Sequence, residues 1–325
     1  MAWTLVTGGA GFIGLCVVER LLIDGIDVVV FDTKPLPPRA AREFAAHPGR
    51  LRVVLGDICL PASLAAAFSE PVAAIVHAAA ITSGPEREAA AADRIVGVNV
   101  DGAVTIGMAA ASHGVERMML ISSAAVYGAP NPTTTEIDED SPKHPYTLYE
   151  STKYMSELVL RRLADLHGLD LRIARLGWVF GPWEHPSGAR DTMSSLYQVT
   201  MAAMAGTPFT LPRPDRREWS YSCDVAGALV SLLHAPEPHW PVYNVNAGVR
   251  LDLSDWAAWA NEVAPPPANG ATKTIDLHCA NDGLPFLARR LSQEFALDWR
   301  SPRDAFKDYT DWLRRDPWPL QQTEQ

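Results

Sequence analysis

The sequence predicts a doubly wound parallel α/β sheet followed by a smaller C-terminal lobe. Three observations carry this expectation. Short apolar or β-branched runs alternate with helical patterns through the first 176 residues, a glycine-rich turn joins the first strand to the first helix, and prolines and aromatics break the alternation after Gly181. Parallel strands need helical crossovers, and strands covered on both faces read as continuous apolar runs. With 325 residues, 47% of them hydrophobic, the chain is long enough to bury such a core.

Taken in order, residues 2–7 are a short apolar run ending in glycines, and Phe12–Ile23 follows with helical spacing. Residues 27–31 (DVVVF) form a β-branched strand, closed by a proline-rich turn at 34–38. Leu51–Leu55 is the next strand, followed by Gly56, Asp57 and a helix whose first turn holds Pro61. Val72–His77, 117–121 and 169–176 are three further buried strands, each preceded by a helical segment. Such units join in right-handed βαβ crossovers. A helix over 224–233 and a strand at Val242–Val245 return to the sheet. The sheet domain therefore covers 1–176 with 224–247, and the lobe covers 177–223 and 248–325. Within the lobe, Trp256 and Trp259 at helical spacing read as core, and 264–270, with Pro265, Pro266 and Pro267, reads as a loop.

The charge balance narrows the function. Lys and Arg number 28 against 38 Asp and Glu, a net charge of −10. Such a surface repels phosphate backbones, which argues against general nucleic-acid binding. Cys16, Cys59, Cys223 and Cys279 lie far apart without a C-x-x-C pair, unlike a zinc ribbon or a disulfide scaffold. No metal-ligand cluster is apparent: His77 reads as a strand-end packing residue and His185 as a solvated loop histidine. Residues 1–14 lack the basic start and unbroken apolar stretch of a signal peptide, and the apolar run 72–81 is too short to span a bilayer. A cytoplasmic protein without a membrane partner is expected.

Residues 7–14 read TGGAGFIG between a strand and a helix. Gly8, Gly11 and Gly14 permit a tight turn, close approach of a pyrophosphate and close helix–strand packing. The helix N-terminus at Phe12 and Ile13 then offers unpaired N–H groups to that pyrophosphate. Asp32 ends the second strand, where a carboxylate binds both ribose hydroxyls and repels a 2′-phosphate. NAD is therefore expected over NADP, with Lys34 and Arg39 nearby as the residues that could reverse the choice.

Tyr149 and Lys153 form Y-x-x-x-K in a helical stretch, so phenol and ammonium share one helix face. A tyrosine, with an ordinary pKa of about 10, becomes a base near neutrality only beside a cation that stabilises its phenolate. Residues 121–128, ISSAAVYG, end the fifth strand, and ligands in such sheets bind at C-terminal strand ends. Ser123 there can orient a substrate hydroxyl or carbonyl.

The ordered set TGGAGFIG, Asp32, GDI at 56–58, HAAA at 77–80, VNV at 98–100, SSAAVYG and Y-x-x-x-K resembles the extended short-chain dehydrogenase/reductase family, the NAD-dependent epimerase/dehydratase group. RLGWVFGP at 175–182, REWSYSCDVAGAL at 217–229 and YNVNAG at 243–248 extend the resemblance over essentially the whole chain. It implies a Rossmann-type sheet, Tyr149 as acid/base, Lys153 on the nicotinamide ribose, and Ser123 as the substrate-orienting hydroxyl. It further implies Asp57 and the Ile58 backbone at the adenine, Ala78, Ala79 and Ala80 along the cofactor, and Asn99 as a supporting helix residue there. A homodimer is implied too, pairing helical segments at 89–112 and Leu148–His167 as a four-helix bundle; Met155, Leu158 and Val159 offer apolar positions for it.

Two departures bear on substrate. Trp178 stands where nucleotide-sugar epimerases usually carry an asparagine that contacts the diphosphate, and LPRPDR at 211–216 replaces a glycine–acid–glycine turn. Arg217 still matches a family arginine that often meets phosphate. Residues 187–192 match the wall facing the nicotinamide, which makes Arg190 a candidate clamp for a substrate carboxylate or phosphate. The expected activity is NAD-dependent hydride transfer at a secondary alcohol of a sugar or sugar acid. A UDP-sugar 4-epimerase with tightly bound NAD is the alternative, and a non-catalytic NAD-binding regulatory protein the remote one. A dehydratase is less favoured, because Ala124–Ala125 occupy the place of its usual Asp–Glu pair.

Overall fold

The computed structural model describes residues 2–129, 131–263, 272–277 and 284–316, so the proline loop at 264–270 and Cys279 lie outside the described residues. The strands are β1 (Trp3–Thr7), β2 (Val28–Asp32), β3 (Leu51–Leu55), β4 (Val72–His77), β5 (Arg117–Ser123) and β6 (Asp170–Leu176). There follow β7 (Trp178–Phe180), β8 (Phe209–Thr210), β9 (Arg216–Tyr221), β10 (Val242–Val245), β11 (Arg250–Asp252) and β12 (Lys273–Thr274). The helices are α1 (Phe12–Ile23), α2 (Pro38–Phe44), α3 (Pro85–Ala90), α4 (Ala92–Val96), α5 (Gly102–Ser112) and α6 (Leu148–His167). The later ones are α7 (Ser195–Met204), α8 (Ser222–His234), α9 (Leu253–Val263), α10 (Arg289–Glu294) and α11 (Pro302–Arg315).

Seven strands form one sheet in the order β10-β6-β5-β4-β1-β2-β3, every pair parallel. Successive strand residues point to opposite faces. Val6, Val28, Val30, Val76 and Ile121 therefore pack with α1 and α8, while Leu5, Val29, Phe31, Ile75 and Leu120 pack with α5 and α6. Strand order reverses between β1 and β4, and the crossovers on either side diverge there. That opens a crevice at the C-terminal strand ends.

The 89–112 segment is not one regular helix. Ala91 leaves the helical region (φ −148°, ψ 42°) between α3 and α4, and a π-helical turn at Gly97–Asp101 joins α4 to α5. The run Ala92–Ser112 is apolar and long enough to cross a membrane, but half of it is buried inside the fold against α6. The segment after Leu55 is a 3₁₀ helix at Pro61–Phe68 rather than an α-helix. In the lobe, β11-β9-β7 make a small sheet. Trp256 is fully buried there, with the rings of Phe180 and Phe306 each edge-on at 4.9 Å; Trp259 lies half-buried beside it.

On the outer faces of α5 and α6, Met108, Met155 and Leu158 are each more than 40% exposed. This is the face on which the sequence places the homodimer. Light scattering at micromolar concentration is expected to give twice the chain mass, and Leu158→Glu to give a monomer. A monomeric wild type would remove the dimer.

Candidate active site

Five adjacent C-terminal strand ends bring the expected site residues together. The turn after β1 is fixed by packing: a Cβ on Gly8 would lie 2.5 Å from the backbone N of Ala79, and one on Gly14 would lie 2.1 Å from the Gly8 carbonyl oxygen. Gly11 differs. A Cβ there would meet the Gly8 oxygen alone, at 3.3 Å, a tight contact that a shift of a few tenths of an ångström relieves. Gly11 is also the N-cap of α1, and neither a side-chain cap nor an acidic residue occupies its first turn. The first N–H groups of α1, at Phe12, Ile13 and Gly14, therefore face the crevice with the positive end of the helix dipole.

Asp32, at the end of β2, is held by two backbone donors. Its Oδ2 accepts from Ala10 N–H and its Oδ1 from Lys34 N–H, each at 3.0 Å. Asp57, after β3, accepts from Cys59 N–H at 2.9 Å and from Arg94 at 2.8 Å. Burial alone would raise its pKa, but these two donors outweigh it and hold the carboxyl below its usual range. Ile58 beside it is buried and packs on Gly102. Ala78, Ala79 and Ala80 follow β4 and present only small side chains.

The catalytic candidates come from β5 and α6. Ser123 closes β5, and its Oγ accepts from Ala125 N–H at 3.1 Å, which caps the short turn Ala124–Tyr127. One of its two lone pairs is thereby used, and its O–H can still donate. Helix α6 begins in a capping box: Thr147 Oγ1 accepts from Glu150 N–H, and Glu150 accepts from Thr147 N–H. Tyr149 thus occupies the second helical position, where the dipole favours an anion. One turn on, Lys153 is buried and donates from Nζ to the Ile121 carbonyl at 2.7 Å. Burial lowers its pKa to about 8, and Glu157, a further turn along, opposes that fall. His77 at the end of β4 is buried, hydrogen-bonded to Thr7 Oγ1 at 2.7 Å, and lowered to about 3 by burial and by the Lys153 charge.

Behind this row lies a network that the motif analysis did not single out. Glu157 accepts from Ser122 Oγ at 2.5 Å and from Arg175 at 2.9 and 2.7 Å; Arg175 also donates to Tyr127. The Lys153–Glu157 spacing of four residues was the available signal. A separate cavity of about 680 Å³ between α1, α8 and α11 is lined by Cys16, Tyr221, Cys223, Asp224 and Asp308. It lies apart from the strand ends, and its acids are engaged by Arg300 and Tyr221.

The family model for the NAD-dependent epimerase/dehydratase family matches residues 4–248. The chain belongs to that family. It is 30% identical over 253 residues to a UDP-glucose 4-epimerase of Mycolicibacterium smegmatis, covering 78% of this chain and 79% of that one. It is 28% identical over 254 residues to a dTDP-D-glucose 4,6-dehydratase of Mus musculus, covering 77% and 69%. Among solved structures, a UDP-glucose 4-epimerase from Thermotoga maritima with UDP-glucose superposes with a TM-score of 0.81 at 20% identity, covering 96% of this chain and 98% of that one. DesIV, a dTDP-glucose 4,6-dehydratase from Streptomyces venezuelae with NAD and TYD bound, gives 0.79 at 27% identity, covering 98% and 99%.

NAD is accordingly the cofactor, and the residues present fit it. The uncapped start of α1 at Gly11 suits a pyrophosphate, and the preoriented Asp32 carboxylate suits a ribose diol.

Several expected side chains lie elsewhere than the sequence suggested. Asn99, expected as a supporting helix residue beside the cofactor, spends its amide on Ile81 N–H, Ile81 C=O and Thr152, and so supports the segment after β4 by tying it to α6. Arg39 is fully buried, its guanidinium 3.5 Å from the Trp312 ring centroid and bonded to the Trp312 carbonyl, which takes it away from any ribose phosphate. His185 is buried rather than solvated, bonded to the Trp183 carbonyl at 2.8 Å. Arg217 is buried, paired with Asp215 at 2.6 Å and stacked 4.4 Å from the centroid of half-buried Trp178. Arg190 is a partner of buried Glu184, at 3.4 Å, rather than an open clamp.

Two predictions follow from this geometry. With cofactor-stripped protein, Gly11→Ala should melt within about 2 °C of wild type yet bind NAD about tenfold more weakly, whereas Gly14→Ala should lower the melting temperature by about 5 °C or more. Calorimetry and titration read both, and undiminished NAD affinity in Gly11→Ala would detach that glycine from the cofactor. Lys153 loses its proton as pH rises through about 8. The cation that supports a Tyr149 phenolate is then lost, so turnover should fall above that pH. Lys153→Arg, charged well beyond pH 10, should move the falling limb upward. A wild-type profile flat to pH 10 would break the link.

Proposed function

We propose that the protein reversibly oxidises a secondary alcohol carbon of a nucleotide-linked sugar and returns the hydride to its other face, acting as a 4-epimerase. The observation that carries this reading is Ser123 at the end of β5 with Tyr149 and Lys153 one turn apart on α6, where Lys153 is bonded to the β5 carbonyl of Ile121. Bound NAD supplies a reversible hydride acceptor. Tyr149, as phenolate, takes the substrate hydroxyl proton while Ser123 donates its O–H to the same oxygen. Buried Lys153 stabilises the phenolate, and Tyr149 gives the proton back when the carbonyl is reduced. Preoriented donors at the developing charge are the effective part of such a site.

Three considerations support epimerisation over its rivals. Relatives near 30% identity are nucleotide-sugar enzymes by name. Ala124 and Ala125 carry no acid for an elimination step. Arg190 has buried Glu184 at 3.4 Å, an anion beside the place where a free sugar acid would bring its own. One observation favours a second reading, a dehydrogenase of a small free sugar or sugar acid: Arg217 is paired to Asp215 beneath Trp178, where a diphosphate would otherwise be received.

The deciding assays are 4-epimerisation of UDP- and dTDP-hexoses and NADH formation with aldonic and uronic acids. Epimerisation without net NADH is expected, and Tyr149→Phe should lower it by about 10²–10⁴ while NAD still binds. NADH accumulating from free sugar acids, with no nucleotide sugar epimerised, would replace this reading with the dehydrogenase. Activity of Tyr149→Phe within threefold of wild type would remove Tyr149 from the chemistry.

A further inference from the structure

Residues 185–191 are bonded to the segments that follow β2 and β4, the two strands that flank β1 in the sheet. At the β2 end, Lys34 donates from Nζ to the Ser187 carbonyl, and His185 faces the charges of Lys34 and Asp32. At the β4 end, Thr82 N–H donates to the Ala189 carbonyl at 2.8 Å, and Asp191 N–H donates to the Thr82 carbonyl at 3.3 Å. Arg87 on α3 then closes the junction. It donates to the Gly188 carbonyl and to the Asp191 carboxylate, each at 2.8 Å, while Gly84 N–H donates to the other Asp191 oxygen at 2.8 Å. Neighbouring strands lie about 4.8 Å apart, so a segment tied on both sides of β1 bridges about 10 Å across the end of that strand.

The base of this segment is rigid. Buried Glu184 accepts from Ser194 N–H at 2.6 Å, from Ser194 Oγ at 2.7 Å and from Arg190 at 3.4 Å, which closes the loop on itself. Trp183, just before it, adopts φ +70°, a conformation that a bulky residue keeps only when its surroundings impose it. Those surroundings are present: the ring is fully buried, its Nε1 donates to Glu19 at 2.8 Å, and Phe44 and Trp312 lie edge-on to it. The direction in which the chain leaves the core is therefore fixed, and the far end is held by side-chain and backbone clasps.

We infer that residues 185–191 are a strap over the NAD pyrophosphate, and that Arg87 and Asp191 are positioning residues that keep the cofactor in place between turnovers. This rests on the reading that the enzyme returns its hydride, since such an enzyme needs a captive cofactor while a dehydrogenase must exchange its own. The clasp is made of an ion pair and backbone bonds at a partly exposed site, so it can open without disturbing the sheet.

The test measures cofactor release and uses no sugar. Purified full-length protein is loaded with NAD, passed through a desalting column, and chased with excess NADH while NADH fluorescence is followed. Wild type is expected to leave the column with about one NAD per chain. Arg87→Met and Asp191→Asn should each release NAD about tenfold faster with unchanged melting of the cofactor-free protein. The exchanged pair Arg87→Asp with Asp191→Arg should recover a slow rate, to within about threefold of wild type. A wild type that loses NAD on the column, or single variants that release it at the wild-type rate, would overturn the strap. A single variant that melts early is judged by the exchanged pair: failure to recover slow release there overturns the clasp as well. If the strap holds NAD but no nucleotide sugar is epimerised, the functional reading fails and the strap stands.

Discussion

Close approach between the turn after β1 and the segment after β4 is the constraint from which the site is built. Gly8 sits against the Ala79 backbone and Gly14 against the Gly8 carbonyl, with no room for a methyl group at either. That contact brings the start of α1 level with the strand ends and leaves small alanines as the floor of the crevice. Asp32, Asp57 and Ser123 then stand at or just beyond neighbouring strand ends, and Lys153 ties α6 to β5 through the Ile121 carbonyl. Tertiary packing sets two of these glycines, and only Gly11 is left for a ligand to explain.

Lys153 shows how the fold holds a charge where burial disfavours it. The ammonium has a carbonyl acceptor at Ile121 and a carboxylate, Glu157, one turn away. Glu157 is itself buried and would be unstable as a lone anion. Arg175 on β6 meets it with two hydrogen bonds, and Ser122 adds a third. The charges that face Lys153 are therefore His77 from β4, kept neutral, and Glu157 from its own helix, neutralised from behind. The balance leaves the ammonium with a pKa lowered by burial to about 8.

How much of this was legible in the sequence depends on whether the partner lies nearby in the chain. The strand order, the glycine turn, the Asp32 strand end and the bounds of α6 follow from patterns spanning a few residues, and the Thr147–Glu150 spacing that starts α6 is such a pattern. Side chains whose partners come from distant segments were misread. Arg39 lies under Trp312, 273 residues further on, so no local rule could have shown it buried. His185 was taken for a solvated loop residue because the loop folds back onto β2. Arg217 was assigned to phosphate because it matches an arginine with that role in the resembled family, and Arg190 because its planar fork lies in the wall that faces the nicotinamide there. Their acidic neighbours, Asp215 two residues away and Glu184 six away, were within reach of a local reading.

The placement of cations explains how a chain with a net charge of −10 accommodates a cofactor with a dianionic pyrophosphate. It does not line the groove with lysines. The α1 N-terminus offers a localised positive dipole end, which needs no side chain and introduces no mobile charge. Lys34 and Arg87, the cations flanking the groove, are bonded to strap carbonyls, and Arg87 also to Asp191. Arg39, which could have welcomed a 2′-phosphate, is withdrawn into the core while Asp32 stays in place. Discrimination against the extra phosphate and enclosure of the shared pyrophosphate thus come from separate residues, so either property can change without the other.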